Sequence, residues 1–210
     1  MRIETRTLHV QAERSAFMGV LLRGQMQRAA YCAMLRNLHA IYAALEPALQ
    51  RHAADPQLAP LLLPGLWREP GLRADLELLH GSDWAETIPL QPAARQYVVR
   101  VEELDRQQPS LLAAHSYVRY LGDLSGGQML SRIVHDSFRL ASDGGTAFYD
   151  FGDAAATGEL KRAYRAALAA LPVDAAAQAA LVAEARSAFE LHRALFDELA
   201  TGLPPEALSR

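Results

Sequence analysis

Residues 117–130 read YVRYLGDLSGGQML, and three glycines, Gly122, Gly126 and Gly127, fall within six positions. Apolar residues keep helical spacing on both sides: Leu111, Leu112, Tyr117, Tyr120, Leu121 and Leu124 before, then Met129, Leu130, Ile133, Val134 and Phe138 after. Intervals of three and four are the period of an amphipathic helix, so the spacing predicts a helix over 109–140. Each helix-interior glycine costs roughly 0.8–1 kcal/mol relative to alanine, and three together cost about 2–3 kcal/mol. Two readings account for them. SGG could close a helix, glycine being favoured just past a C-terminus. Alternatively, a backbone without Cβ atoms can lie directly on something broad and flat, or kink over it. The second is favoured, because the apolar phase resumes in GQMLSRIVHDSF with no new N-cap or proline.

Asp123 stands inside this glycine-rich stretch, with Arg119 one turn before it and Tyr120 three residues before. A buried carboxylate is costly unless hydrogen-bonded, so it needs Arg, Tyr or ordered water close by. A structural Arg–Asp pair at i, i+4 and a polar network in an apolar pocket both satisfy that need.

Outward from this helix, nearly every segment reads the same way. Helices are expected over 2–14, from a Ser15 cap through Leu22 to a stop at Gly24, and over 25–52, 71–80, 92–107, 157–171 and 174–200. DPQLAPLLLPGLWREPG reads as a Pro-rich connection with room for a short turn of helix, GSDWAETIPLQP reads as irregular, and TAFYDFG (146–152) is too isolated to pair as a strand. Helices joined by short links imply an all-α fold, one domain over 1–200 with a short polar tail at 201–210. The stripe Leu181, Ala185, Phe189, His192 and Phe196 reads first as bundle core.

Bulk composition narrows the function classes. Half of the 210 residues are apolar, which supports a sizeable core, and the net charge of −3 is spread without a basic block, so no nucleic-acid partner is expected. The single cysteine, Cys32, rules out an internal disulfide or a multi-cysteine metal cluster. MRIETRTLHVQAERS lacks the apolar core of a signal peptide, and no run approaches the roughly 18 apolar residues of a membrane span. A cytoplasmic protein that does not enter the membrane is the expectation.

YVRYLGDLSGGQML resembles the signature of the heme oxygenases, whose distal helix is glycine-kinked over the heme face. LHVQAERSAFM (8–18), NLHAIYAALE, the WAETIP region, LKRAYRAAL and EARSAFELHRALFDEL are similar to that family in the same order, so the resemblance spans nearly all of 1–200. It implies a helical fold that holds heme between a proximal N-terminal helix and the glycine-kinked helix. His9 would be the proximal iron ligand, with Glu13 one turn on to orient the imidazole. Gly122 and Gly126 would let the backbone lie on the porphyrin, with Ser125 beside them. Asp123 would hold the water network that supplies protons to O₂, and Arg119, Tyr42 and Tyr117 resemble residues that support that network or line the pocket. Arg2, Lys161 and Arg165, with the Tyr117 hydroxyl, would take the propionates; Lys161 and Arg165 share a helix face at i, i+4. Phe189 and Phe196 would form apolar wall.

The activity so implied is O₂- and electron-dependent cleavage of heme to biliverdin, carbon monoxide and ferrous iron, with heme as both cofactor and substrate. No GxGxxG motif for a flavin or nicotinamide is present, so a separate ferredoxin or flavin reductase is expected to supply electrons. A monomer is expected. The alternative is a non-catalytic heme carrier or sensor of the same fold. Three departures from the animal relatives bear on the site: Val118 replaces a threonine, His192 an asparagine and Arg2 a lysine. His192 adds a second potential ligand or proton relay.

Overall fold

The computed structural model describes residues 7, 8, 10, 12, 14–141 and 144–208. The expected helix over 2–14 lies largely outside them, although Thr7, Leu8, Val10 and Ala12 are helical. Ser15 then caps α1 (Ala16–Leu22), its hydroxyl accepting the Met18 N–H at 3.3 Å. Helix α2 (Arg28–Arg51) buries Tyr31, Leu35, Leu38, Tyr42, Leu45 and Leu49 at intervals of three and four. After α3 (Glu69–Leu79), the short α4 (Trp84–Thr87) and α5 (Pro92–Gln107), a 3₁₀ turn at Pro109–Leu111 leads into α6 (Leu112–Phe138). Helix α6 is continuous through all three glycines and stops at Arg139, a left-handed residue with φ 50°. The helix-ending reading of SGG is therefore overturned.

Helices α7 (Ala154–Ala169) and α8 (Ala175–Thr201) both start at aspartate caps, Asp153 and Asp174, each accepting a backbone N–H at 2.8 Å. The expected start at 157 misses the first turn of α7, because Asp153 supplies an N-cap before the apolar pattern begins. A last short helix, α9 (Pro205–Leu208), falls in the stretch expected as a tail. TAFYDFG forms a 3₁₀ turn at Ala147–Tyr149, and WAET is helical rather than irregular. No strand occurs among the described residues, and the fold is all-α.

α2 packs on α3 and α5, while α8 packs on α5, α6 and α1. Leu35, Ile41 and Leu45 are fully enclosed between these layers, and truncating any of them to alanine would cost about 2–5 kcal/mol. Three buried charged side chains tie α2, α3 and the 3₁₀ turn at Ala147–Tyr149 together. Glu46 accepts the N–H groups of Arg68 (2.6 Å) and Glu69 (3.2 Å), closing the start of α3 from another helix. Asp75 accepts those of Ala147 and Phe148, both at 2.8 Å. The Arg68 guanidinium donates to the carbonyls of Gly65, Phe148 and Asp150 and lies 3.8 Å from the Phe151 ring centre. Gly71 permits this docking: a Cβ there would stand 2.8 Å from the Ala147 carbonyl oxygen. The same turn reaches Gly127 of α6, whose missing Cβ faces the Tyr149 carbonyl oxygen at 3.5 Å.

Candidate functional site

Helix α6 presents Arg119, Gly122, Asp123 and Gly126 on neighbouring turns. Asp123 is one-tenth exposed and Arg119 one-twentieth. The Tyr42 hydroxyl, from α2, donates to Asp123 Oδ2. Arg119 Nε donates to that hydroxyl oxygen at 3.3 Å, and its guanidinium carbon lies 5.3 Å from the Tyr42 ring centre. Arg119 Nη2 reaches Asp123 Oδ1 at only 3.4 Å, the long edge of a hydrogen bond. Nη1 donates instead to His192 of α8, with Nδ1 at 3.0 Å and Nε2 at 3.4 Å.

Burial raises the Asp123 carboxyl above the ordinary aspartate range, and Arg119, the Tyr42 hydrogen bond and Arg68 offset this only in part. Burial also pushes the His192 imidazole well below its usual range, and the Arg119 charge adds to the effect. Arg119 moves the other way: burial lowers it, but Tyr42, Asp123 and Tyr97 outweigh that and keep it charged. The cluster is thus one fixed cation, one neutral imidazole and one carboxyl that gains a proton more readily than an exposed aspartate would.

Beside this cluster the helix is bare. A Cβ at Gly122 would have nothing within 4 Å, and one at Gly126 would meet only Leu130 Cδ1 at 3.8 Å. Gly127, by contrast, is buried against Tyr149. Two of the three glycines therefore leave an open strip of backbone beside Asp123, while the third serves packing.

The remaining predicted residues divide. Phe189 and Phe196 are buried on α8, and Phe196 stacks on Phe17 of α1 at 5.7 Å between ring centres. Tyr117 is half-buried on α6, and Lys161 (half-buried) and Arg165 (exposed) sit one turn apart on α7, which packs on α6. Ser125 is exposed, with its hydroxyl turned back to donate to the Leu121 carbonyl at 2.5 Å. Arg2, His9 and Glu13 lie outside the described residues. Tyr120 is not a partner of Asp123, because its hydroxyl donates to Glu46 at 3.3 Å, the other buried carboxylate within reach. Tyr42, the least distinctive assignment in the sequence, is a direct hydrogen-bond partner of Asp123. The structure places His192 against Arg119, whose Nη1–H it accepts.

The all-α bundle places a buried Asp–Arg–Tyr cluster beside a bare strip of helix, an arrangement that suits a small-molecule site. The family model described as heme oxygenase matches residues 1–198. Heme oxygenase 1 of Nostoc sp. is 37% identical over 95% of this chain and 84% of its own length. Human heme oxygenase 1 is 40% identical over 93% of this chain and 68% of its own length. The crystal structure of heme oxygenase-2 from Synechocystis sp. PCC 6803, in complex with heme and NO, superposes with a TM-score of 0.92 at 34% identity, covering 99% of this chain and 88% of that one. The chain belongs to the heme oxygenase family, a family of heme-degrading enzymes.

Proposed function

We propose that this protein cleaves heme with O₂ and electrons to biliverdin, carbon monoxide and ferrous iron, through a single catalytic domain over 1–200. The observation that carries the reading is the juxtaposition on α6: a strip where added Cβ atoms at Gly122 and Gly126 would meet open space, next to a buried, loosely paired carboxyl at Asp123. A flat macrocycle fits such a strip, and the strip is what the helix gains for the glycines it carries.

When bound, heme supplies the iron at which O₂ is activated. The protein's own groups then do the rest. His9 would hold the iron, with Glu13 orienting its ring. Lys161 and Arg165, one turn apart, would pair with the two propionates, with Arg2 and the Tyr117 hydroxyl assisting. Asp123 holds and releases a proton at its carboxyl, and its upward displacement brings that exchange closer to neutral pH. Tyr42 orients the carboxyl through its hydroxyl, and Arg119 steadies Tyr42. Phe189, Phe196 and Phe17 keep water from the apolar side. Electrons come from a separate ferredoxin or flavin reductase, and the protein acts as a cytoplasmic monomer. No described helix is long and apolar enough to cross a membrane.

Aerobic titration with hemin, followed by an electron donor and catalase, tests the proposal. Loss of the heme absorbance with growth of a bilin band is the expected result. Heme that is reduced yet persists would make the protein a carrier and refute the reading.

A further inference from the structure

Arg119 is a donor-only group with five N–H bonds, and its neighbours decide where they point. Nε is directed to the Tyr42 oxygen and Nη1 to His192, while Nη2 is left at 3.4 Å from Asp123. The His192 ring is itself fixed. It packs edge-on to Phe196 with 4.2 Å between ring centres, and Phe196 in turn stacks on Phe17 of α1. From this geometry we infer that His192 is a positioning residue: its neutral imidazole accepts Arg119 Nη1–H and holds the guanidinium off Asp123, leaving the carboxyl only loosely paired.

Without an acceptor at position 192, Nη1–H and Nη2–H would be free to close together on the two carboxylate oxygens, the fork geometry that Arg favours. The same chain shows a two-point arginine–carboxylate grip elsewhere, made through the Nε edge of the guanidinium. Arg100 grips Glu184 with Nε at 3.0 Å and Nη2 at 2.6 Å. An opposite charge so placed lowers a carboxyl by about 1–3 pH units. Asp123 would then be held ionised and would no longer carry a proton near neutrality.

The groups that act on Asp123 are few. Arg119 comes from its own helix, Tyr42 from α2 and Arg68 from the segment before α3. The hydroxyls of Tyr97 on α5 and Tyr149 on the 3₁₀ turn share its field. α8 contributes His192, which meets Asp123 only through Arg119. The inference rests on Asp123 as the proton carrier, but it can be tested without turnover.

The measurement is an NMR titration of the Asp123 carboxyl carbon in heme-free protein, comparing wild type, His192→Leu and His192→Gln. In His192→Leu the midpoint should fall by about 1–3 pH units, and His192→Gln, whose amide oxygen accepts, should restore it. An unchanged midpoint in folded His192→Leu overturns the inference, whether or not the wild type degrades heme. Should His192→Leu fail to fold, the wild-type ring decides. A singly protonated His192 at neutral pH supports the inference, and a doubly protonated one overturns it by removing the acceptor. In active protein, kcat should drop in His192→Leu with KM unchanged, and recover in His192→Gln.

Discussion

Arg119, Asp123 and His192 form one buried set; buried Glu184 and His115 with half-buried Arg100 form another of the same kind, an arginine, a carboxylate and a histidine. Helices α6 and α8 contribute to both, and the two sets are wired oppositely. In the second, the Arg100 fork closes on both Glu184 oxygens and His115 Nε2 donates to Oε1 at 2.9 Å. Burial raises Glu184, but the hydrogen bonds and charges of His115 and Arg100 overwhelm it and leave the carboxyl at about 2. In the first, the histidine sits on the arginine instead of on the carboxylate, and burial prevails at Asp123. Composition does not tell the two clusters apart; the direction of the arginine's donors does.

The sharpest way to break the contrast is to neutralise each carboxylate. Asp123→Asn should bind hemin normally yet lose about 10²–10⁴-fold in biliverdin formation, the usual magnitude for removing a positioned proton donor. A variant with wild-type turnover would remove Asp123 from the reaction and make the two clusters equivalent. The readout is the initial rate of bilin appearance with a saturating electron donor.

Glu184→Gln should do the reverse, sparing turnover and harming the fold. Glu184 lies far below its ordinary value of 4.5, so its ionised form contributes stability that is complete above about pH 4.5 and is lost as pH falls through 2. The displacement corresponds to about 3 kcal/mol near neutrality. Urea unfolding at pH 7 should show a loss of that order, while the wild-type and Glu184→Gln curves converge as the pH approaches 2. Equal stabilities at pH 7 would show the cross-tie to be dispensable.

Much of this was legible in the sequence, for physical reasons that differ by region. The α6 pattern resumes in phase after Gly127, so its continuity could be read locally, and a carboxylate among glycines and apolar residues pointed to the buried polar cluster at Asp123. The buried ties could not be read that way. Glu46 and the α3 N-terminus it caps are 22 residues apart, and Asp75 and Ala147 are 72 apart. Neither carries a local signal, since the partners are backbone N–H groups. Tyr42 looked like one more core residue of α2 because its phase is that of Leu38 and Leu45. His192 shared the apolar stripe of α8, and only the fold reveals that it faces Arg119. Roles for Lys161, Arg165 and His9 came from family resemblance, since spacing alone makes the first two an ordinary basic face.

The smallest effect isolates what lies beside each glycine. Gly122→Ala and Gly127→Ala both remove a helix-interior glycine and should each stabilise heme-free protein by up to about 1 kcal/mol. Neither meets a prohibitive contact, for a Cβ at 122 finds open space and one at 127 finds Tyr149 at an ordinary 3.5 Å. Their effects on hemin should diverge. At Gly122 the new methyl stands on the bare strip next to Asp123, so hemin affinity and turnover should fall; at Gly127 it points into packed protein, so both should be unchanged. Parallel melting curves and hemin titrations would separate the two. Equal hemin binding in the pair would mean that the macrocycle does not lie on this strip, and the first glycine would then serve only the shape of the helix.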